Sequence, residues 1–154
     1  MKVFLFALFL LFALPLQAAP GVYEKSVKQP MDAVYAKVSK ALDDAGFFVV
    51  FEPDIGSNLA GMAKKWGKDY NQNQLEGIKS MVFCSGWYAN AVSNADPSML
   101  ALCPLHITLT HKAGVTSVLL VRPSYVAKGS KAEKIAAELE KDLIKAIETG
   151  LHAK

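Results

Sequence analysis

Two adjacent apolar runs in the C-terminal half of the chain restrict the fold most strongly. Residues 105–111 alternate between apolar and polar side chains, and residues 115–121 are rich in valine and leucine. Only Lys112, Ala113 and Gly114 separate them. A period of two residues is typical of a strand with one buried face, and so short a connection joins antiparallel neighbours. The sequence therefore predicts a hairpin. The expected core face of its first strand is Leu105, Ile107 and Leu109, and the opposite face is His106, Thr108 and Thr110.

Related patterns predict three strands and a helix before the hairpin. Residues 21–27 alternate in polarity, and residues 47–51 are an apolar run of the length of a strand. Residues 78–84 are predicted to form a third strand. Pro30 fits the first position of a helix, where its missing N–H costs nothing, and Gly46 fits the left-handed turn that ends one. The apolar side of this helix is predicted to consist of Val34, Val38, Ala41, Leu42 and Ala45.

The last helix carries the clearest signals. Ser130 and Glu133 have the spacing of a capping box, in which the serine accepts from a helical N–H and the glutamate reaches back to the start of the helix. An apolar stripe at helical spacing follows and predicts one buried side. Its members are Ile135, Leu139, Leu143 and Ile147.

Short connecting elements complete the predicted order. Residues 57–67 indicate a small helix, capped by Ser57 or Asn58. Residues 67–74 indicate a polar loop, and residues 87–95 a short helix or irregular crossing. The order strand, helix, strand, small helix, strand, crossing, hairpin, long helix is typical of an α+β fold. We expect a mostly antiparallel sheet with helices packed on one face.

The N-terminus has the three parts of a bacterial signal peptide. Lys2 precedes the uninterrupted apolar residues 3–14, and small residues follow Pro15. The apolar run is shorter than the roughly 20 residues of a membrane-spanning helix, although an uncleaved anchor is the alternative interpretation. We expect cleavage after Ala18, which leaves one domain, residues 19–154, in the periplasm or secreted.

Composition argues against several classes of function. The formal net charge is +3, Arg122 is the only arginine, and lysines alternate with carboxylates instead of clustering. We therefore expect no nucleic-acid partner and, after signal cleavage, no membrane partner. Phosphate loops, serine elbows and zinc-protease motifs are absent from the sequence. We expect no cofactor, and a non-enzyme whose partner is a small molecule or a periplasmic protein.

The chain contains two cysteines, Cys84 and Cys103. An even number of cysteines in an exported domain favours a disulfide. Cys84 ends one predicted strand and Cys103 begins the next. The two Cα atoms are therefore expected within the roughly 4.4–6.8 Å that a disulfide requires.

Two other interpretations of the cysteine pair stay open. In the first, the cysteines form a reactive thiol pair, whose thiolate is stabilised by a helix that starts just after Cys84. In the second, Cys84, Cys103 and His106 bind a metal or haem iron. A zinc site needs four ligands, or three and a water, and positions 103 and 106 lie on opposite faces of a regular strand. We therefore expect no metal site.

Aromatic side chains concentrate in the least regular part of the chain. Trp66, Tyr70, Trp87 and Tyr88 either line a cleft or fill the gap between the sheet and the crossing. Among the polar residues nearby, His106 lies on the outward side of its predicted strand. We expect a ligand-binding cleft beside the crossing, formed by Trp87, Tyr88 and His106.

Several short motifs occur in an order found in one bacterial family. Ala45-Gly46-Phe47 leads into an apolar strand, and Phe83-Cys84 precedes an alanine-containing crossing. Asp96-Pro97 and Leu102-Cys103-Pro104 then lead into the hairpin and the final helix. Over about residues 22–147 the chain resembles the family called domain of unknown function 302. The resemblance implies a TATA-binding-protein-like fold, β-α-β4-α, with the small helices as insertions, and no established activity.

The chain departs from the pattern of that family at both cysteines. Ser85 and Gly86 follow the first cysteine, where the family usually has Asn-Pro, and Cys103 precedes Pro104 instead of following a proline. The predicted function is an exported, non-catalytic binding domain with a Cys84–Cys103 disulfide. The alternative is a thiol-dependent redox or sulfur-handling protein that uses the same two cysteines.

Overall fold

The computed structural model describes residues 19–153; the predicted signal peptide, residues 1–18, lies outside them. Five strands and six helices form in this part of the chain. The strands are β1 Val22–Val27, β2 Phe48–Phe51, β3 Gly77–Cys84, β4 Leu105–Lys112 and β5 Val115–Val121. The helices are α1 Met31–Asp44, α2 Ile55–Ala60, α3 Ala63–Trp66, α4 Gly86–Ala95, α5 Pro123–Val126 and α6 Glu133–His152, and two 3-10 turns are Gly67–Asp69 and Pro97–Leu102.

The five strands form one sheet in the order β1-β5-β4-β3-β2, and all neighbouring strands are antiparallel. The predicted hairpin is confirmed as β4 and β5, which pair up to Lys112 and Val115. Its turn is Ala113-Gly114, and both residues have positive φ, 50° and 75°. Two residues with φ above zero match the right-handed twist of the paired strands, and this explains a glycine in the second position.

The core lies between one face of the sheet and the pair α1 and α6. On β4 the side chains of Leu105, Ile107 and Leu109 are buried, whereas His106 is exposed on the opposite face, as the alternation predicts. The expected fold class, α+β with a mostly antiparallel sheet, is confirmed. The buried core includes Val34, Val38, Leu42, Phe47, Met81, Phe83, Val118, Leu120, Leu139, Leu143 and Ile147.

Several predicted boundaries and caps differ in the structure. Pro30 lies just before α1 instead of at its first helical position. Residues 57–67 contain parts of two short helices, and the cap of α2 is Asp54, whose carboxylate accepts from the N–H of Ser57 at 2.9 Å. Near α6, the carboxylate of Glu133 accepts from the N–H of Gly129 at 2.9 Å. The Ser130 hydroxyl accepts from the N–H of Ala132 at 3.2 Å, so both side chains of the predicted capping box accept a backbone N–H before α6, but neither caps the helix itself.

A buried carboxylate joins α6 to the end of β5. The Glu140 side chain is only 10% exposed and accepts from Nη1 of Arg122 at 3.2 Å. It also accepts from the backbone N–H of Ser124 at 3.1 Å and from the Ser124 hydroxyl. These donors compensate for the removal of a charge from water, because buried carboxylates are stable only when they are paired and hydrogen-bonded. Glu140 thus holds α5 against α6.

Helices α1 and α6 cross at very short distance beside Gly150. A Cβ at this position would lie 2.8 Å from Cα of Val38 and 2.9 Å from the carbonyl oxygen of Lys37. Both of these atoms belong to the backbone of α1, so a small side-chain rotation cannot relieve the contact. Only glycine permits this approach of the two helices.

The Gly150→Ala variant should therefore be less stable than the wild type. Overpacking costs about 1–3 kcal/mol, which exceeds the about 0.5–1 kcal/mol that alanine gains over glycine in a helix. We expect Tm to fall by roughly 4–8 °C in a thermal unfolding experiment. Gly86→Ala is the matched control, because a Cβ at Gly86 meets no atom within 4 Å. Equal Tm values for the two variants would show that α1 and α6 are not in backbone contact.

Candidate functional site

A cavity of about 720 Å³ lies between the start of β3 and the segment that connects β2 to β3. We call this segment, residues 54–76, the insertion, and the space beneath it the insertion cavity. The two sides are joined at Asp54 and Lys79, which form an isolated antiparallel bridge. Gly56 brings α2 close to β3, since a Cβ there would lie 3.1 Å from the backbone nitrogen of Ile78.

Two aromatic residues of the insertion line this cavity. Trp66 is the last residue of α3, and the 3-10 turn that begins at Gly67, with φ of 52°, leads to Tyr70. The chain then folds back through Asn71, whose side chain accepts from the N–H of Leu75 at 2.9 Å and donates to its carbonyl oxygen at 2.8 Å. This local ring of hydrogen bonds fixes the return of the chain to β3.

The floor of the cavity combines apolar and charged groups. Met31, Leu59 and Ile78 supply apolar surface. Lys79 donates to the carboxylate of Asp32 at 2.9 Å, and this hydrogen bond raises the pKa of Lys79. The lysine is therefore charged at neutral pH and already paired.

Carboxylates outnumber cations along the lining. Asp54, Asp69 and Glu76 border the cavity, against the single cation of Lys79. The hydrogen bonds from Ser57 hold the pKa of Asp54 below its usual value, so this group is ionised at neutral pH. Glu76 accepts from the N–H of Ala113 in the hairpin turn at 3.1 Å. The lining is suited to a ligand with an apolar body and hydrogen-bond donors.

The predicted disulfide does not form in the structure. Cys84 and Cys103 are both free cysteines, and they are not near each other. The register explains the difference, because the last pair of the β3–β4 ladder is Phe83 with Leu105. The next position would set Cys84 opposite Pro104, and Cys103 lies one residue further on.

The environment of Cys103 is unfavourable for thiol chemistry. Burial raises the pKa of the Cys103 thiol, and the negative charge of a Cys84 thiolate raises it further. Such an electrostatic influence acts over several ångströms and needs no bonding contact. A raised pKa keeps the thiol protonated, and the protonated form is the poor nucleophile.

The three residues predicted to form a cleft beside the crossing lie in different surroundings. Trp87 is 73% exposed. Tyr88 stacks on Phe47, with ring centroids 6.1 Å apart, and donates to the carboxylate of Asp142 at 2.6 Å. Burial and Asp142 raise the pKa of Tyr88 to about 12. His106 is exposed on the sheet face opposite the core. A ligand-binding role for Trp87, Tyr88 and His106 stays a prediction.

The residues that line the insertion cavity were partly visible in the sequence. Trp66 and Tyr70 are aromatic residues in an irregular segment, but the same is true of Trp87 and Tyr88. What distinguishes the first pair is the contact of the insertion with β3, through Gly56 and the Asp54–Lys79 bridge. Such a contact between segments has no signature in local periodicity.

Comparison with known proteins places this chain in a family. The family described as Domain of unknown function DUF302 matches residues 23–150. The chain belongs to this family. The uncharacterized conserved DUF302 protein from Bacillus stearothermophilus has a similar crystal structure, with a TM-score of 0.72 and 19% sequence identity over 85% of this chain and 98% of that chain. At this identity the likeness shows a shared fold. No curated protein matches the chain.

Membership of the DUF302 family confirms the resemblance read from the motifs. Within residues 19–153 of this DUF302 chain, no group of three or more histidine, cysteine or carboxylate side chains is arranged to hold a metal ion. The helices in the same part of the chain are all too short or too polar to cross a bilayer.

The state of the cysteines can be tested by counting thiols. Protein denatured without reductant should show two reactive thiols per chain. In the folded protein at about pH 7.5, Cys103 should react more slowly than after unfolding, because its pKa is raised. The Cys84→Ser variant reports Cys103 alone, and Cys103→Ser is its counterpart. Absence of reactive thiols in the denatured wild type would mean that a disulfide forms after all.

Proposed function

We propose that this chain is an exported, non-catalytic domain that binds a small molecule in the insertion cavity. The observation that carries the proposal is the cavity itself, about 720 Å³ in volume and lined by Trp66 and Tyr70. Ligand sites typically have volumes of about 300–1,000 Å³ and combine apolar or aromatic walls with a few polar groups. The insertion cavity has this size and this combination.

The lining favours an amine that carries an aromatic ring. Trp66 and Tyr70 offer ring surfaces for stacking and for cation–π contact. Asp69 and Glu76 accept hydrogen bonds from an ammonium group, whereas Lys79 is already paired with Asp32. An anionic ligand of the same shape would meet more carboxylates than cations. We therefore expect cationic aromatic molecules to bind better than anionic ones.

Chemistry at the cysteines is not needed for this function. Cys84 ends β3, whereas Gly77, at the opposite end of the same strand, lines the cavity. The raised pKa of Cys103 also disfavours a reactive thiolate. The thiol-dependent alternative keeps one observation in its favour, because α4 begins at Gly86, just after Cys84, as that alternative requires.

Fluorescence of Trp66 tests the proposed site. The chain has two tryptophans, so the Trp87→Phe variant keeps Trp66 as its only reporter. Titration with phenethylamine should change its emission to a plateau, with a Kd of about 1 mM for so small a probe. Phenylethanol should bind more weakly, and phenylacetate should give no saturable change. All three share a ring and a two-carbon chain and differ in the charge of the terminal group.

The matched control exchanges the two reporters. The Trp66→Phe variant keeps Trp87, which is 73% exposed and lies outside the cavity, and its emission should not respond to phenethylamine. Asp69→Asn in the Trp87→Phe background should weaken the binding of phenethylamine more than that of phenylethanol. Equal responses of Trp66 and Trp87, or tighter binding of phenylacetate, would rule out the proposed ligand class.

Export is tested by the mass of the processed chain. Expression in a bacterium and recovery from the periplasm should give a protein that begins at Ala19, because residues 3–14 form the apolar segment of a signal peptide and Ala18 precedes the expected cut. Intact-mass measurement reports this directly. Ala18→Arg should block the cut and leave unprocessed chain with the membrane fraction. An unprocessed wild-type chain would contradict the proposed cleavage.

A further inference from the structure

The edge strand β2 is unusually apolar for a strand with a free side. In residues 19–153, β2 pairs with β3 on one side and has no strand on the other. Phe48, Val50 and Phe51 are 58%, 65% and 62% exposed. The pairing with β3 shifts between Val49 and Phe51, so Val50 is a bulge residue outside that ladder. Unpaired backbone groups beside exposed apolar side chains are a template for another strand, and the short length and the bulge of β2 restrict that pairing to a few residues.

The opposite edge of the sheet is protected. β1 exposes Glu24, Lys25 and Ser26, and charged side chains on an edge strand discourage pairing with another chain. A contact between β1 of one molecule and β2 of the next would also leave a free edge on each molecule, and would build an open-ended row of molecules instead of a closed dimer. The two edges therefore differ as expected if association uses only β2, and if its partner is the β2 strand of a second molecule.

Two opposite charges flank β2 at its two ends. The charged residues that line a groove of about 570 Å³ between α1 and β2 are Lys40, Asp43 and Glu52. The Tyr35 hydroxyl donates to Glu52 at 2.7 Å, which places the end of β2 beside the first half of α1. Lys40 lies in the second half of α1, which leads into the start of β2. An antiparallel copy of β2 would thus bring each Glu52 towards the Lys40 of the other molecule.

We propose that two copies of this chain associate through β2, antiparallel about a two-fold axis, to form one continuous sheet. Under this symmetry Phe48 of each copy lies near Phe51 of the other, where aromatic cross-strand pairs stabilise a sheet. Lys40 is able to take part, because its pair with Asp44 is on the surface, with side chains 75% and 61% exposed, and such pairs are weak. The free apolar edge of β2, and the two Lys40–Glu52 pairs that two-fold symmetry would create, select a second copy as the occupant.

The interface centres on a strand of only four residues. Stable dimers bury more than roughly 1,000 Å², so we expect a weaker association, with a Kd of about 10–100 µM. Sedimentation velocity of the wild-type protein from about 2 to about 200 µM should therefore show a monomer that converts to a dimer as concentration rises. A wild type that stays monomeric over this range overturns the proposal.

Lysine at the exposed position of β2 tests the edge directly. Val50→Lys changes a side chain that is outside the core and should leave Tm within about 2 °C of the wild type. It should raise the Kd of dimerisation about tenfold or more, since lysine on an edge strand opposes pairing. Ser26→Lys puts the same side chain on β1 and should leave the Kd unchanged. A dimer that is insensitive to Val50→Lys overturns the proposal.

A charge exchange tests the two-fold arrangement. Lys40→Glu alone, or Glu52→Lys alone, places like charges across the axis and should weaken self-association about threefold to tenfold. An equimolar mixture of the two variants should form a mixed dimer with near wild-type affinity, because both pairs across the axis are then opposite in charge. Circular dichroism of each variant confirms its fold. A mixture that associates no better than the single variants overturns the antiparallel arrangement.

Discussion

The close crossing of α1 and α6 is the contact on which the rest of the structure depends. Because Gly150 lets α6 reach the backbone of Val38, the two helices form a compact layer, and Val34, Leu42, Leu139 and Ile147 all enter one core with the sheet. A single helical layer covers a single face. In residues 19–153 the β2 edge has no neighbouring strand, and the insertion cavity lies where α1, the insertion and β3 meet.

The insertion is built differently from the core it rests on. Its helices α2 and α3 contain no buried residue, whereas α6 contains eight. Local stability follows the number of buried apolar contacts, so the insertion opens at a lower free-energy cost than α6. It is held to β3 by the Asp54–Lys79 bridge and by the approach of α2 at Gly56. A cover that opens without disturbing the core is suited to admitting a ligand.

Periodicity predicted the core well and the site poorly. The alternation of residues 105–111 and the stripe of α6 depend on neighbours in sequence, and both were confirmed, although Ile135 is only half-buried while the smaller Ala136 is buried. The cysteine pairing depended on register, where one residue decides which atoms meet. Helix α5 had no apolar period to reveal it, and it is held in place by the contact of Ser124 with Glu140.

The β2 edge shows why an apolar run can mislead. An uninterrupted apolar run such as residues 47–51 is typical of a strand buried on both faces. In the structure only Phe47, just before β2, is almost fully buried, whereas Phe48, Val50 and Phe51 are exposed. In the sheet, however, β2 is an edge strand, with β3 on one side and no strand on the other in residues 19–153. The next element along the chain is the helix α2. The position of a strand in a sheet is set by long-range pairing, and the composition of the strand does not predict that pairing. The composition of β2 suits a central strand, although β2 lies at an edge of the sheet. The proposed dimer accounts for this, because β2 becomes a central strand when two copies pair.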